Sequence, residues 1–216
     1  MSATSTTTMS VWEAEYDTAL RARLADFARD WARVGVEDLA KFTAKINDNA
    51  YDVTYQLQWE GEGLVRGCEF RRAAAAISTW LEPNPDAPDE PADVTLRTLT
   101  DHLDRLRDEA VTHSSTGLFW NATARAAGRA ALDMLRDLRY VPSMCRTEAD
   151  RAVSPDAWVA REEAYRTQRD AERKLAGARS DRSRGSWQAV INAQKDTIAT
   201  LGTVIADAAR EAGRPS

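Results

Sequence analysis

Gly117-Leu-Phe-Trp-Asn-Ala-Thr-Ala-Arg-Ala-Ala-Gly-Arg-Ala-Ala-Leu-Asp-Met-Leu-Arg-Asp-Leu138 decides the fold class, because its polar residues fall on one narrow line of a helix. Arg125, Arg129, Asp133 and Arg136 recur at steps of three and four, and nearly everything between them is apolar or small. About three-quarters of the circumference should therefore be covered by neighbours, as in a central helix. Ala124, Ala126, Ala127, Gly128, Ala130 and Ala131 would let partner helices come close. The expectation is a mainly α-helical protein, a bundle of about seven helices. The pattern specifies an architecture and not an activity.

Working back toward the N-terminus, His113-Ser-Ser-Thr-Gly117 separates this helix from one striped by Leu96, Leu99, Leu103, Leu106 and Ala110. Pro83 to Pro91 holds four prolines and reads as a stiff, solvated connection. Leu64 to Leu81 reads as a helix through its alanine run. Ser10-Val-Trp-Glu13 is a capping box. From it Trp12, Tyr16, Leu20, Leu24, Phe27, Trp31 and Val34 hold helical spacing as far as Gly35, which reads as a C-terminal stop. The nine residues before Ser10 are Ser/Thr-rich and expected to be disordered.

Residues 36–60 admit two readings. Val36, Leu39, Thr43, Ile46, Ala50, Val53 and Leu57 step as one helical seam, yet Tyr51 to Trp59 also alternates as a strand would. Asn47-Asp48-Asn49 would then be a turn, and a minor β-hairpin over 51–70 is the alternative to helix. Glu60-Gly-Glu-Gly63 breaks the element on either reading.

Toward the C-terminus, Tyr140-Val-Pro142 is followed by an expected irregular stretch up to Ser154-Pro155-Asp156, a strong N-cap with Pro at the first helical position. Ala157, Ala160, Ala164, Ala171, Leu175 and Ala178 make a small-residue face on the helix it starts. Trp187, Ile191, Gln194, Ile198, Leu201, Ile205 and Ala208 step 4, 3, 4, 3, 4, 3 in the last helix, a coiled-coil spacing. An antiparallel hairpin over 154–212 follows, with Arg179 to Ser186 as its tip and Gly213 to Ser216 fraying. The domain reading is a disordered tail over 1–9, a bundle over 10–140 and this hairpin, either packed on the bundle or projecting from it.

Composition narrows the class. At 43% hydrophobic and 29% charged, 216 residues suit a soluble globular chain with a core that needs no disulfide. Cys68 and Cys145 are its only cysteines, expected as buried or half-buried thiols in a reducing cytoplasm. No apolar run approaches the roughly 20 residues that cross a bilayer. The net charge of −5 is unevenly spread, acidic over residues 1–90 and basic over 151–216. Of 29 basic residues 25 are Arg, which points to a GC-rich coding sequence of bacterial or phage origin.

Few constellations carry chemistry. Gly61-x-Gly63-x-x-x-Gly67 approximates a dinucleotide loop, but Glu62 puts a carboxylate where phosphate would sit, so it reads as a helix-breaking turn. Glu109 and His113 lie on adjacent turns, with His102 about 10 Å further along the axis, too far to join the same metal. No catalytic, cofactor or metal residue is assigned. Arg66, Arg71 and Arg72 surround Cys68 and Phe70 as one basic cluster; Arg179, Arg182 and Arg184 form a second at the hairpin tip.

The leading expectation is a non-enzymatic interaction or assembly protein, associating with itself or a protein partner through Trp187, Ile191, Ile198, Leu201 and Ile205. The first alternative is a regulatory protein that binds nucleic acid weakly, setting Arg179, Arg182 and Arg184 on phosphates. The second is a helical-bundle enzyme whose site assembles only in three dimensions.

Overall fold

The first helix, α1, runs Val11–Asp48, and the capping box opens it as expected: the Ser10 N–H donates to Glu13 Oε2 at 2.8 Å and the Glu13 N–H to Ser10 Oγ at 3.2 Å. The computed structural model describes residues 9–48, 61–82, 91–113 and 118–215. Among the described residues six more helices follow: α2 Gly61–Leu81, α3 Ala92–His113, α4 Leu118–Leu138, α5 Val141–Val153, α6 Pro155–Gly177 and α7 Asp181–Glu211. Among the described residues there is no strand. The chain is a helical bundle with a C-terminal helical hairpin.

Gly35 does not stop α1. A Cβ there would lie 2.8 Å from the Gly67 carbonyl oxygen, and a Cβ on Gly67 would lie 2.9 Å from the Gly35 carbonyl oxygen. The two glycines mark a crossing of α1 and α2 so close that backbone meets backbone, and α1 continues for three more turns beyond it. Gly67 and its companions Gly61 and Gly63 are accordingly helical and form no turn. Residues 61–70 being helix removes one arm of the hairpin read over 51–70, and Asn47 and Asp48 lie in α1 where a turn was expected. Residues 51–60, the tail 1–8 and the proline-rich 83–90 lie outside the described residues.

The chain forms two compact units. Residues 17–144 make the first, and residues up to 16 with 145–216 make the second, so α1 and α5 contribute to both. In the first unit α4 packs against both α2 and α3. Ala126, Ala130, Ala131, Met134 and Leu138 are buried, while Arg125, Arg129 and Arg136 are exposed and Asp133 is half-buried. Leu132 is 49% exposed, so the open side of α4 is broader than its charged line suggested. From α3, Leu96, Leu99, Leu103 and Ala110 are buried as its stripe requires. Trp31 is 2% exposed, its ring edge-on to Phe70, and its Nε1–H donates to Asp137 Oδ2 at 3.1 Å. A ring sealed in the core whose N–H meets a carboxylate leaves no orphan donor.

The expected irregular stretch after Tyr140 is helix α5. Val141, Cys145 and Ala149 are buried, with Val153 half-buried after them. Those positions recur every fourth residue, and Pro142 falls in the first turn, where its missing N–H costs nothing. Ser154 does precede α6 with Pro155 at its start, but its hydroxyl donates to the Asp150 carbonyl at 3.1 Å and caps nothing.

The second unit is tied together at the chain's two ends. Trp12 is 4% exposed, packed with Ala149 and Ala209, and its Nε1–H donates to Asp150 Oδ1 at 2.9 Å. The C-terminal tail does not fray at its start. Gly213 has φ +97°, its N–H donates to Arg210 O at 3.0 Å and the Arg214 N–H to Ala209 O at 2.9 Å, the two bonds of a Schellman cap. The Trp12 N–H donates to Ala212 O at 3.0 Å, and Arg214 Nη1 meets Asp150 Oδ2 at 2.9 Å.

Candidate functional site

The hairpin is the part of the second unit that the sequence nominates, and its two helices pack along their length. Ile191, Ile198 and Ile205, spaced by seven, are 3%, 9% and 4% exposed; Trp187 and Leu201 are half-buried. Across from them α6 offers Ala164 and Ala171, also seven apart and buried. Large side chains on one helix against small ones on the other let the axes come close, and each buried Ile contributes about 1.5–3 kcal/mol. Lys174 Nζ lies 4.7 Å from the centre of the Trp187 ring, closing the tip end of the seam. The nominated seam is thus the packing side of the hairpin.

What α7 leaves outward is unusual in its chemistry. Over residues 185–206 the only charged side chains are Lys195 and Asp196. Ala189, Ala193, Thr197, Thr200 and Val204 are exposed at steps of 4, 4, 3 and 4, one face of the helix on which exposed Asp196 is the single charge. The Thr197 and Thr200 hydroxyls donate back to the Ala193 and Asp196 carbonyls, both at 2.9 Å, so the face presents methyl groups with its polar atoms already satisfied. Val204 is 47% exposed there.

The tip is shorter than expected, since α6 ends at Gly177 and α7 starts at Asp181. Ser180 caps α7, accepting from the Ser183 N–H at 3.2 Å. Arg184 is drawn into that cap, its Nε donating to Ala178 O at 3.2 Å and its Nη1 lying 4.0 Å from Asp181. Arg179 and Arg182 are exposed and, among the described residues, form no ion pair.

The remaining candidates resolve into structural roles. Arg66 pairs with Asp38 at 2.6 Å and Asp133 at 3.2 Å and lies over the Phe70 ring, while Arg72 pairs with Glu69. Arg66 thus ties α1, α2 and α4 together, while Arg71 is exposed and forms no ion pair among the described residues. Cys145 is buried but Cys68 is exposed, contrary to the covered thiol expected there. Glu109 is exposed and His102 half-buried; the His113 side chain lies outside the described residues. Among the described residues no three His, Cys, Asp or Glu side chains converge to hold a metal, and no helix is long and apolar enough to cross a membrane.

A repeating apolar seam marks the covered side of a helix and carries no sign of what the exposed side does. The signal for the outer face of α7 was the lack of charge over 185–206, legible only as a contrast with α6, where ten of 23 residues are charged. No protein-family model matches the chain, and no curated protein or solved structure resembles it.

Proposed function

We propose that the chain is a non-enzymatic assembly protein, working in the cytoplasm, whose C-terminal hairpin associates with a second copy of itself along the outer face of α7. The observation that carries this reading is the face Ala189, Ala193, Thr197, Thr200, Val204 on a 31-residue helix, where Asp196 is the one charged side chain. A solvated helix ordinarily carries a broad charged face, and small residues with methyl-bearing neighbours allow close helix approach. Such a surface offers a foreign partner only the Asp196 carboxylate to recognise, whereas its small residues can meet their own copies about a two-fold axis.

Light scattering of the full chain at high concentration should report a dimer or higher assembly. Ala193→Glu with Val204→Glu should return it to monomer without loss of helix by circular dichroism. A wild-type protein that stays monomeric at high concentration removes the proposal. Ile198 and Leu201 are unsuitable for this test, since Ile198 is buried and Leu201 half-buried within the hairpin.

The second reading is weak binding of nucleic acid at the tip, favoured by the two unpaired guanidiniums of Arg179 and Arg182. Two or three phosphate contacts give a salt slope of about −0.9 each. Fluorescence polarisation with a random duplex in about 50 and 150 mM salt should then show salt-sensitive binding, lost when Arg179, Arg182 and Arg184 are changed to Ser. No binding at low salt, or equal binding by the mutant, removes this reading.

A further inference from the structure

The other flank of α7 carries a different feature. Between α6 and α7 runs an open groove of about 590 Å³, with Arg161 and Tyr165 on one wall and Lys195, Gly202 and Arg210 on the other. Ile198, Ala199 and Ala206 give it an apolar floor. No acidic side chain lines it.

Arg161 is the anomaly. It is half-buried, its Nε–H is buried and meets no acceptor, and it forms no ion pair among the described residues. Its guanidinium is held in place by stacking: Cζ lies 5.9 Å from the Trp158 ring centre and 5.6 Å from that of Tyr165, and Nη2 reaches the Tyr165 hydroxyl at 3.5 Å. A Cβ on Gly202 would lie 3.8 Å from Nη2, an ordinary contact, so the guanidinium faces Gly202 across the groove with room for about a methyl group between them. Elsewhere in the chain half-buried guanidiniums meet carboxylates, as Arg66 does with Asp38 and Arg214 with Asp150. A charge withdrawn from water without a partner is costly, and a planar fork of donors favours a bidentate oxyanion. Lys195 is exposed with no ion pair among the described residues, and Arg210 shares its charge only with Asp207. The groove therefore has an excess of positive charge over an apolar floor.

We infer that this groove binds an amphipathic organic anion, a carboxylate or phosphate monoester whose oxygens take the Arg161 guanidinium while its apolar body lies on Ile198, Ala199 and Ala206. The ligand is a small molecule, and the site lies on the flank away from Ala193 and Val204, so it is independent of self-association. Stacking on Trp158 and Tyr165 pre-orients the fork, which removes part of the ordering cost of binding.

Isothermal titration of the full chain with octanoate, phenyl phosphate, inorganic phosphate and octan-1-ol tests it. Octanoate or phenyl phosphate should bind one per chain, and whichever is tighter identifies the head group. Inorganic phosphate, lacking an apolar body, should bind at least about tenfold more weakly, and the neutral alcohol should give no saturable heat. Arg161→Gln should weaken binding about tenfold or more, the loss of charge-assisted hydrogen bonds. Lys195→Gln, at an exposed position that cannot disturb the fold, should weaken it about threefold through its charge alone. The inference is overturned if neither organic anion saturates up to 10 mM, roughly the weakest specific affinity of interest. It is equally overturned if inorganic phosphate binds as tightly as phenyl phosphate, or if Lys195→Gln binds like the wild type.

Discussion

The two helices of the hairpin solve the same packing problem in opposite ways. α6 contributes buried Ala164 and Ala171 to the contact and surrounds them with charge, whereas α7 contributes Ile191, Ile198 and Ile205 and leaves its outer face almost uncharged. For α6 the boundary between core and solvent is written in charge. For α7 it is written mainly in side-chain size, because Ala, Thr and Val fill most of the positions between Ala189 and Val204 that face water. A helix of the first kind is finished by its neighbour; one of the second kind has a covered side and an uncovered side of similar polarity. The lesson is that an apolar seam and an interaction face need not coincide, and that here the seam is spent on the fold.

The sharpest way to break that contrast is to place the same charge on the two sides of α7. Ile198→Asp puts an unpaired carboxylate where the wild-type side chain is 9% exposed, and it should cost about 4 kcal/mol or more and unfold the hairpin. Val204→Asp, at a position 47% exposed, should change stability by no more than about 0.5 kcal/mol when measured at protein concentrations low enough to keep the wild type monomeric. Chemical denaturation followed by circular dichroism measures both. Equal losses under those dilute conditions would mean that the outer face is covered within the single chain too.

The helices also end differently, and glycine reports it. α6 ends at Gly177, where an added Cβ meets nothing within 4 Å and the backbone is not left-handed; the cap that follows, Ala178, is extended. α7 is followed by Gly213, left-handed and pressed so close to Ser10 that a Cβ would overlap its side chain. Gly213→Ala should therefore destabilise the second unit by about 2 kcal/mol, combining the left-handed penalty with the overlap. Gly177→Ala should be neutral or stabilise by up to about 1 kcal/mol. Thermal melts of the two variants side by side decide it, and a tolerated Gly213→Ala would remove the cap from the account of the chain ends.

Those glycines show where the sequence was legible. Helix existence followed from periodic apolar residues: the stripes of α1, α3 and α7 and the capping box at Ser10 all appear where spacing put them. Boundaries set by glycine and proline did not, because each residue has two physical meanings. Gly35 can end a helix or admit a neighbouring backbone, and only the presence of Gly67 against it selects the second. Pro142 can end one helix or begin the next, and the repeat Val141, Cys145, Ala149 selects the second. The candidate site was less legible for a related reason. The seam through Ile198 is visible in sequence, but the stacking of Arg161 on residues three before and four after it, opposite Gly202, depends on how α6 and α7 are placed.

The smallest expected effect lies at the start of α1. Glu13 is fully exposed, and its carboxyl is held below the usual value near 4.5 first by the backbone N–H of Ser10 and then by the Ser10 hydroxyl, against a slight opposing effect of burial. A carboxyl whose folded pKa is lowered adds stability that is complete above the unfolded value and is lost as pH falls through the folded one. The capping box should therefore contribute its share at neutral pH and lose it as the pH is lowered from about 4.5. Glu13→Gln keeps a side-chain oxygen that can accept from Ser10 but abolishes the titration. Its melting temperature should lie slightly below that of the wild type at pH 7, and the gap should close as the pH is taken below 4, roughly half a unit under the ordinary glutamate value. The hairpin offers an internal reference, because Ser180 caps α7 by accepting the Ser183 N–H with its hydroxyl and no carboxylate takes part in that bond. A Ser180→Ala variant should show a pH-independent deficit over the same range. If the Glu13→Gln gap is equally flat, the carboxylate contributes nothing through its charge, and the start of α1 is held, like the start of α7, by the serine alone.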